Sequence, residues 1–407
     1  MELNVFTINT HRFLFAAFFF VLASSLFFMR LASFSIAQAN DAEIEPAKVI
    51  NKHFKVVSTY TGIDWLQQKP VLLPKKNVIL IIDKNRNLER TKNNLRDSSK
   101  DFYTVDAIDI SNINNPVFLK TLVKTAFREK IFDIVVTDDE KQLLVAYGGA
   151  IEVYDISNIS NVILKDTIRL HGSFSLALSA DSKLLYVSGC LKKKSCSNIS
   201  VFKLTPSLEF VSEIETIQDY RIAVSKDNSK MAFFSNDPSR VVFGKISPSF
   251  KFTQLGYDAK TYNTRMTFRS PASVGEMTFS ADGDTLYVSG GQGGVITYDV
   301  SDNGLDKIQQ TAGRNWGALF NNTGHIISLD RVGDTLYIAG STRKKVSDTP
   351  RIKNTKKTFR FSGSNIKASP EKNLVMVYTS TPPEPKSGVI TFLQPIKEEH
   401  RIQEINN

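Results

Sequence analysis

A short turn-and-strand motif returns at intervals along this chain. Ser179-Ala180-Asp181-Ser182-Lys183 leads into Leu184-Leu185-Tyr186-Val187-Ser188-Gly189, and Ser280-Ala281-Asp282-Gly283-Asp284-Thr285 leads into Leu286-Tyr287-Val288-Ser289-Gly290. The strand recurs as Thr335-Leu336-Tyr337-Ile338-Ala339-Gly340. Looser copies are Thr137-Asp138-Asp139, Ser225-Lys226-Asp227, Pro370-Glu371-Lys372-Asn373 and Pro74-Lys75-Lys76-Asn77. The apolar anchors Val78, Leu143, Leu185, Met231, Leu286, Leu336 and Leu374 stand 65, 42, 46, 55, 50 and 38 residues apart. Between them, apolar residues alternate or run in fours to sixes, punctuated by Gly, Asp, Asn, Ser and Lys. Strands and turns write that pattern, whereas helices would need a 3.6-residue period.

A period of 40–50 residues with several short strands per unit predicts an all-β fold, a single seven-bladed β-propeller. The Ser/Thr-x-Asp turn has a physical task in it. Its short polar side chains bond nearby backbone N–H groups and set a tight turn between the first and second strands of a blade. Ring closure needs one more strand, and residues 54–60, Phe54-Lys55-Val56-Val57-Ser58-Thr59-Tyr60, read as an orphan fourth strand that completes the last blade. A competing candidate is the tail near Arg401-Ile402. Residues 343–360, with eight basic residues and only Asp348 against them, read as a loop or as two charged outer strands.

Two further segments carry a resemblance. Ala107-Ile108-Asp109-Ile110-Ser111-Asn112-Ile113 precedes Val117-Phe118-Leu119-Lys120, and Glu152-Val153-Tyr154-Asp155-Ile156-Ser157-Asn158-Ile159 precedes Val162-Ile163-Leu164-Lys165. Thr297-Tyr298-Asp299-Val300-Ser301-Asp302 is a third copy. These segments resemble LVIVD repeats, and the Leu-Tyr-Val-Ser-Gly strands resemble the related YVTN-type bacterial propellers. The resemblance covers most of residues 70–394 and implies a propeller, but no one activity, since such folds host many functions. Trp-Asp dipeptides are absent, so the chain lacks the WD40 signature.

The first forty residues read as an address. Residues 13–29 hold no charge, follow His11-Arg12, and lead through Arg30 to Ala37-Gln38-Ala39. A basic flank, an apolar run and an Ala-x-Ala site predict a secretory signal peptide over residues 1–39. A signal anchor is the rival, since seventeen residues reach the short limit for a span. Residues 40–51 then read as a short linker and 52–407 as the propeller. A periplasmic or secreted protein follows, or one held in the inner membrane by residues 13–29. The formal balance is +10 over 407 residues. Nucleic acid is a poor match for that charge in an exported, monomeric protein. Only two cysteines occur, Cys190 and Cys196. Export predicts that they form a disulfide across a hairpin mouth.

A search for catalytic motifs returns no G-x-S-x-G elbow, H-E-x-x-H, P-loop or EF-hand loop. Gly290–Gly294 reads as a hairpin tip and Asp282-Gly283-Asp284 as a plain turn. No catalytic residue, metal or cofactor is expected. One constellation is cationic: the segments entering the inner strands supply Arg128 with Lys130, Arg169 with His171, Arg221, Arg269, Arg314 beside Trp316, and Arg360. Gathered at one channel mouth, they would form an anion-attracting rim. The competing view is that loops simply carry the chain's excess charge. The function expected is therefore a non-enzymatic platform that binds a protein or an anionic cell-envelope ligand. The alternatives are a lactonase-like propeller hydrolase, which would need a carboxylate–His cluster around His171 or His325, and a membrane-tethered assembly factor.

Overall fold

The computed structural model describes residues 49–51, 53–64, 66, 69–85, 102–125, 129–170, 172–190, 198–204, 207–216, 219–236, 239–258, 276–289, 295–300, 304–310, 326–332, 335–340, 346–348, 357–362, 365–379 and 388–396. All its strands fall in one compact unit, Val49–Asn407. The chain opens with β1 (Val49–Asn51) and β2 (Phe54–Ile63). A first sheet follows, made of β3 (Val71–Leu73), β4 (Val78–Asn85), β5 (Phe102–Asp109) and β6 (Val117–Lys124). The second holds β7 (Ile131–Val136), β8 (Gln142–Tyr147), β9 (Ala150–Asp155) and β10 (Ile163–Arg169). In the third are β11 (Gly172–Leu178), β12 (Leu184–Cys190), β13 (Asn198–Lys203) and β14 (Glu209–Glu215). The fourth has β15 (Asp219–Val224), β16 (Lys230–Asn236), β17 (Ser239–Ile246) and β18 (Phe252–Asp258). The fifth has β19 (Met277–Phe279), β20 (Thr285–Ser289), β21 (Val295–Asp299) and β22 (Asp306–Gln310). The sixth has β23 (Ile326–Val332), β24 (Thr335–Gly340), β25 (Val346–Asp348) and β26 (Lys357–Ser362). Last come β27 (Asn365–Ser369), β28 (Leu374–Thr379) and β29 (Gly388–Pro395).

The first and last of these strands meet in one sheet of order β1-β2-β29-β28-β27, the closing sheet. β2 runs antiparallel to β29, with Val56 opposite Leu393 and Tyr60 opposite Ile390. Gly388 opens β29 because a Cβ there would come within 2.6 Å of the Ile63 carbonyl oxygen. Inner strands touch in a closed cycle: β3 with β7, β7 with β11, β11 with β15, β15 with β19, β19 with β23, β23 with β27, and β27 with β3. The fold is an all-β propeller.

The expectation of seven four-stranded blades is corrected by this topology. Six sheets have four strands, and the closing sheet has five. Val49–Asn51, assigned from sequence to a linker, forms β1 and pairs with β2. It covers part of what would otherwise be an open edge. The sixth sheet also departs from a simple meander. Its order is β23-β24-β26-β25, and β26 lies parallel to β24, from Thr335↔Lys357 to Gly340↔Ser362. The charged run 343–360 thus contains the outermost strand and the start of the third-position strand.

The recurring turn has one hydrogen-bond design. Ser179 Oγ donates to Asp181 Oδ1 at 2.6 Å, Leu184 N donates back to Ser179 Oγ at 2.9 Å, and Lys183 N donates to Asp181 Oδ1 at 3.2 Å. Thr137/Asp139, Ser225/Asp227 and Ser280/Asp282 repeat all three bonds. The residue after the Asp adopts left-handed φ in each: Glu140 58°, Ser182 53°, Asn228 60° and Gly283 77°. The LVIVD-like segments share a second design. Asp109 and Asp155 accept from Ser111 N and Ser157 N, and Asn112 and Asn158 accept from Asn114 N and Ser160 N. The repeated letters therefore encode repeated bonds that satisfy backbone donors where the chain reverses.

The core is a set of layers between neighbouring sheets. Leu73, Val78, Leu80 and Ile82 meet Ile131, Ile134, Leu143 and Val145 across the first and second sheets. Leu144, Ala146 and Ile151 meet Leu185, Val187 and Phe202 across the second and third. All the anchors seen in the sequence are at most 3% exposed. Turn side chains stitch the layers. Lys75 N donates to Glu140 Oε1, Asp138 N donates to Ser182 Oγ, and Lys230 Nζ donates to Asp284 Oδ1.

Candidate functional site

In the second sheet the inner strand begins and the outer strand finishes at the same end of the ring, at Ile131 and Arg169. Between the first and second sheets lies a groove of about 710 Å³. Lys124 ends β6, Lys130 precedes β7, and Arg169 ends β10; all three line it. Its floor is aromatic. Phe132 and Tyr147 line it together with Gly148 and Gly149, which turn the chain between β8 and β9. The size falls in the range of small-ligand clefts.

The cations are propped on rings. Lys124 Nζ sits 4.5 Å from the Phe102 ring centroid and Lys130 Nζ 4.6 Å from that of Phe132. Such contacts hold an ammonium partly desolvated without neutralising it. Burial, aided by the nearby charges of Lys84 and Arg221, lowers the Lys130 pKa below its ordinary value. Tyr154 donates to Glu152 and exchanges a 3.4 Å contact with the Tyr147 hydroxyl. Burial, with the Glu152 bond, pushes Tyr154 up to about 12 and Tyr147 higher still, so both phenols stay protonated.

Beside the groove, the channel is crossed by a second set of charges. Asp133 on β7 accepts from Leu176 N of the next inner strand at 2.9 Å, and Asp330 on β23 accepts from Ala368 N of β27 at 2.8 Å. Lys69 Nζ reaches Glu276 and Asp330, each at 3.8 Å, and Lys367 Nζ reaches Asp330 at 3.4 Å. Burial pushes Asp133 up to about 6 against the pull of Arg221 and Lys69. Burial alone would depress Lys69, but Glu276, Asp330 and Asp133 outweigh it and hold its ammonium above the ordinary value. Among the described residues no group of His, Cys, Asp and Glu is arranged to hold a metal ion.

Arg169 and Lys130 share the groove, and Arg221, on inner strand β15, reaches Lys130 electrostatically. Arg169 and Arg221 lie in strands rather than in entering loops, and Arg169 ends an outer strand. Arg360 is corrected from an entering loop to strand β26, where it pairs with Ile338. Arg128, His171, Arg269, Arg314 and Trp316 lie outside the described residues, as do His325 and Gly290–Gly294. So does Cys196, and with it the expected disulfide. Asp282 spends its Oδ1 on Ser280 and Asp284 N, as a plain turn does. Sequence reasoning missed Lys69, Asp133, Glu276, Asp330 and Lys124. The available signal was a lone acid inside the apolar inner strands Ile131–Val136 and Ile326–Val332.

No protein-family profile and no curated protein matches the chain. Among solved structures, a protein from Lactobacillus plantarum known by its crystal structure is similar over 78% of this chain and 85% of its own, at 17% identity and a TM-score of 0.46. Among the described residues, no helix is long and apolar enough to cross a membrane.

Proposed function

We propose that this protein is an exported, non-enzymatic propeller of the LVIVD/YVTN type, in which every sheet serves as a blade of one ring. It binds an anionic cell-envelope ligand, or an acidic loop of a partner protein, at the end where the inner strands begin. The observation that carries this reading is the convergence of Lys124, Lys130 and Arg169 on one aromatic-floored groove. Guanidinium and ammonium groups beside a low-dielectric wall attract carboxylate or phosphate more strongly than they would in open solvent. The groove's acids are Glu129 and Glu152, and Glu152 is held by Tyr154. The test is retention of the purified protein on an immobilised polyuronate at low salt. Elution should follow screening over a Debye length of about 8–10 Å at ordinary ionic strength. Passage through the column without delay at low salt would refute the reading.

A further inference from the structure

The end of the ring opposite the groove carries a feature that the binding reading does not use. Among the described residues eight large apolar side chains are exposed, and seven of them lie at the start of three outer strands. They are Val117, Phe118 and Leu119 on β6, Ile163 and Leu164 on β10, and Phe210 and Val211 on β14, between 38% and 53% exposed. These strands are the outer edges of the first, second and third sheets, which are neighbours in the ring. Two bonds tie the three edges together at this level. Lys120 Nζ donates to Ser160 O at 2.9 Å, and Leu208 N donates to Asp166 Oδ2 at 3.2 Å.

The exposure has a local cause. Each outer strand carries a bulge here: Ile108 faces Phe118 while Ala107 faces Lys120, so Leu119 is the extra residue. Lys165 and Val211 are extra in β10 and β14. A bulge breaks the in-and-out alternation, so consecutive side chains turn to solvent. Apolar identity is not a requirement of that geometry. The fourth and fifth sheets have the same bulge, at Leu255 and Ile308, yet place Thr253-Gln254 and Asp306-Lys307 where the first two have Val117-Phe118 and Ile163-Leu164. The apolar band is thus confined to three adjacent edges of one repeated device.

We propose that this band is a bilayer-docking edge. Seven apolar side chains standing at one level on three neighbouring edges suit a broad, soft surface; among them Lys120 is bonded to Ser160 O and Lys165 is paired with Asp155 at 3.4 Å, so the band's own charge there is largely balanced. The position of the chain agrees. Phe54 pairs with Pro395 at the end of β29, as Val117 pairs with Asp109 at the end of β5. β1 turns back from that point, so the chain enters this unit at Val49, at the same end of the ring and on the outer edge of the sheet beside the first. The uncharged run 13–29 lies just upstream in the sequence. Docked this way, the ring presents its cationic groove away from the bilayer.

The test places tryptophan in the band of the full-length protein, as Phe118→Trp and Leu164→Trp, with Gln254→Trp as the polar reference site. Emission beyond that of the parent chain is read in vesicles of phosphatidylethanolamine and phosphatidylglycerol, with and without dibrominated acyl chains. Insertion of 5–10 Å into the interface should remove about half of the added emission at 118 and 164 and leave 254 unchanged. All three sites are exposed, so folding should survive; circular dichroism checks it, and either band site alone decides the matter if the other variant misfolds. Equal emission at all three sites in both lipids overturns the proposal. So does shielding of 118 and 164 without lipid in a particle of doubled mass, which would give the band to a second copy.

Discussion

Lys69 Nζ lies 3.8 Å from Glu276 Oε2, and the two residues come from opposite sides of the ring. Lys69 precedes β3 and Glu276 precedes β19, three inner strands away by the shorter path through β27 and β23. The pair therefore spans the channel and, with Asp330, ties three sheets to one ammonium. Lys69→Met should remove the cation that Glu276 and Asp330 share, leaving Lys367 to Asp330. Removing one partner of a fully buried pair costs about 3–5 kcal/mol. The Lys69 side chain is 36% exposed, which reduces the expected loss to about 1–2 kcal/mol. Urea midpoints should show that loss, and adding Glu276→Gln should restore part of it.

Asp133 should give the stability a pH dependence of unusual sign. Its carboxyl titrates near about 6 in the fold because it is buried, against 3.8 when exposed. Between those values the folded state holds the extra proton, so this residue's contribution falls as pH rises from about 4 to 6, by about 1.4 kcal/mol per unit. The turn carboxylates Asp139, Asp181, Asp227 and Asp282 are held below their ordinary range, so their contribution is present above about pH 4 and lost on acidification. In Asp133→Asn the one side-chain oxygen can accept from Leu176 N or Ile134 N but not both, so the variant should lose the pH 4–6 slope together with one of these bonds. Identical slopes in the two proteins would show that Asp133 titrates like an exposed acid.

Closure should be worth several kilocalories. Phe54 is 1% exposed and is clustered with Ile366, Val375, Val377 and Leu393 in the closing sheet. Phe54→Ala should cost about 3–5 kcal/mol. A loss below about 1 kcal/mol in equilibrium unfolding would mean that β2 is not integral to the ring.

Asn228 offers a stabilising change. It holds φ at 60°, its Oδ1 is buried without a hydrogen bond, and Gly283 occupies the same turn position in the fifth sheet. Asn228→Gly relieves a left-handed residue at some cost in chain entropy, so a gain of about 0.5 kcal/mol is expected. A lower melting temperature would contradict this account of the turn.

The sheets were legible because the repeat writes them in local chemistry. Ser179 and Asp181 make bonds within six residues, so their signal survives in one short stretch of sequence. Residues 54–60 of strand Phe54–Ile63 were legible as an orphan, since their alternation had no neighbour to pair with; the strand's last three residues were not. What stayed hidden depends on distance along the chain. Lys69 meets Glu276 and Asp330 only after the ring closes, and β26 takes a third-position place beside β24 from within a run whose charges mask any alternation. The groove lay between these cases. Lys130 and Arg169 were visible as cations near strand ends, but Lys124 became their neighbour only through the contact of the first and second sheets.

The most direct measurement is calorimetric titration of a uronic-acid oligomer into the parent protein and into the Lys130→Ala/Arg169→Ala variant, at low and at physiological salt. Both side chains sit at the groove's rim, and substitutions at such places usually change stability by less than about 0.5 kcal/mol. The account predicts binding by the parent that weakens steeply with salt. It also predicts at least a tenfold loss in the variant, about 1.4 kcal/mol. Equal affinity in the two proteins, or affinity that ignores salt, would contradict it.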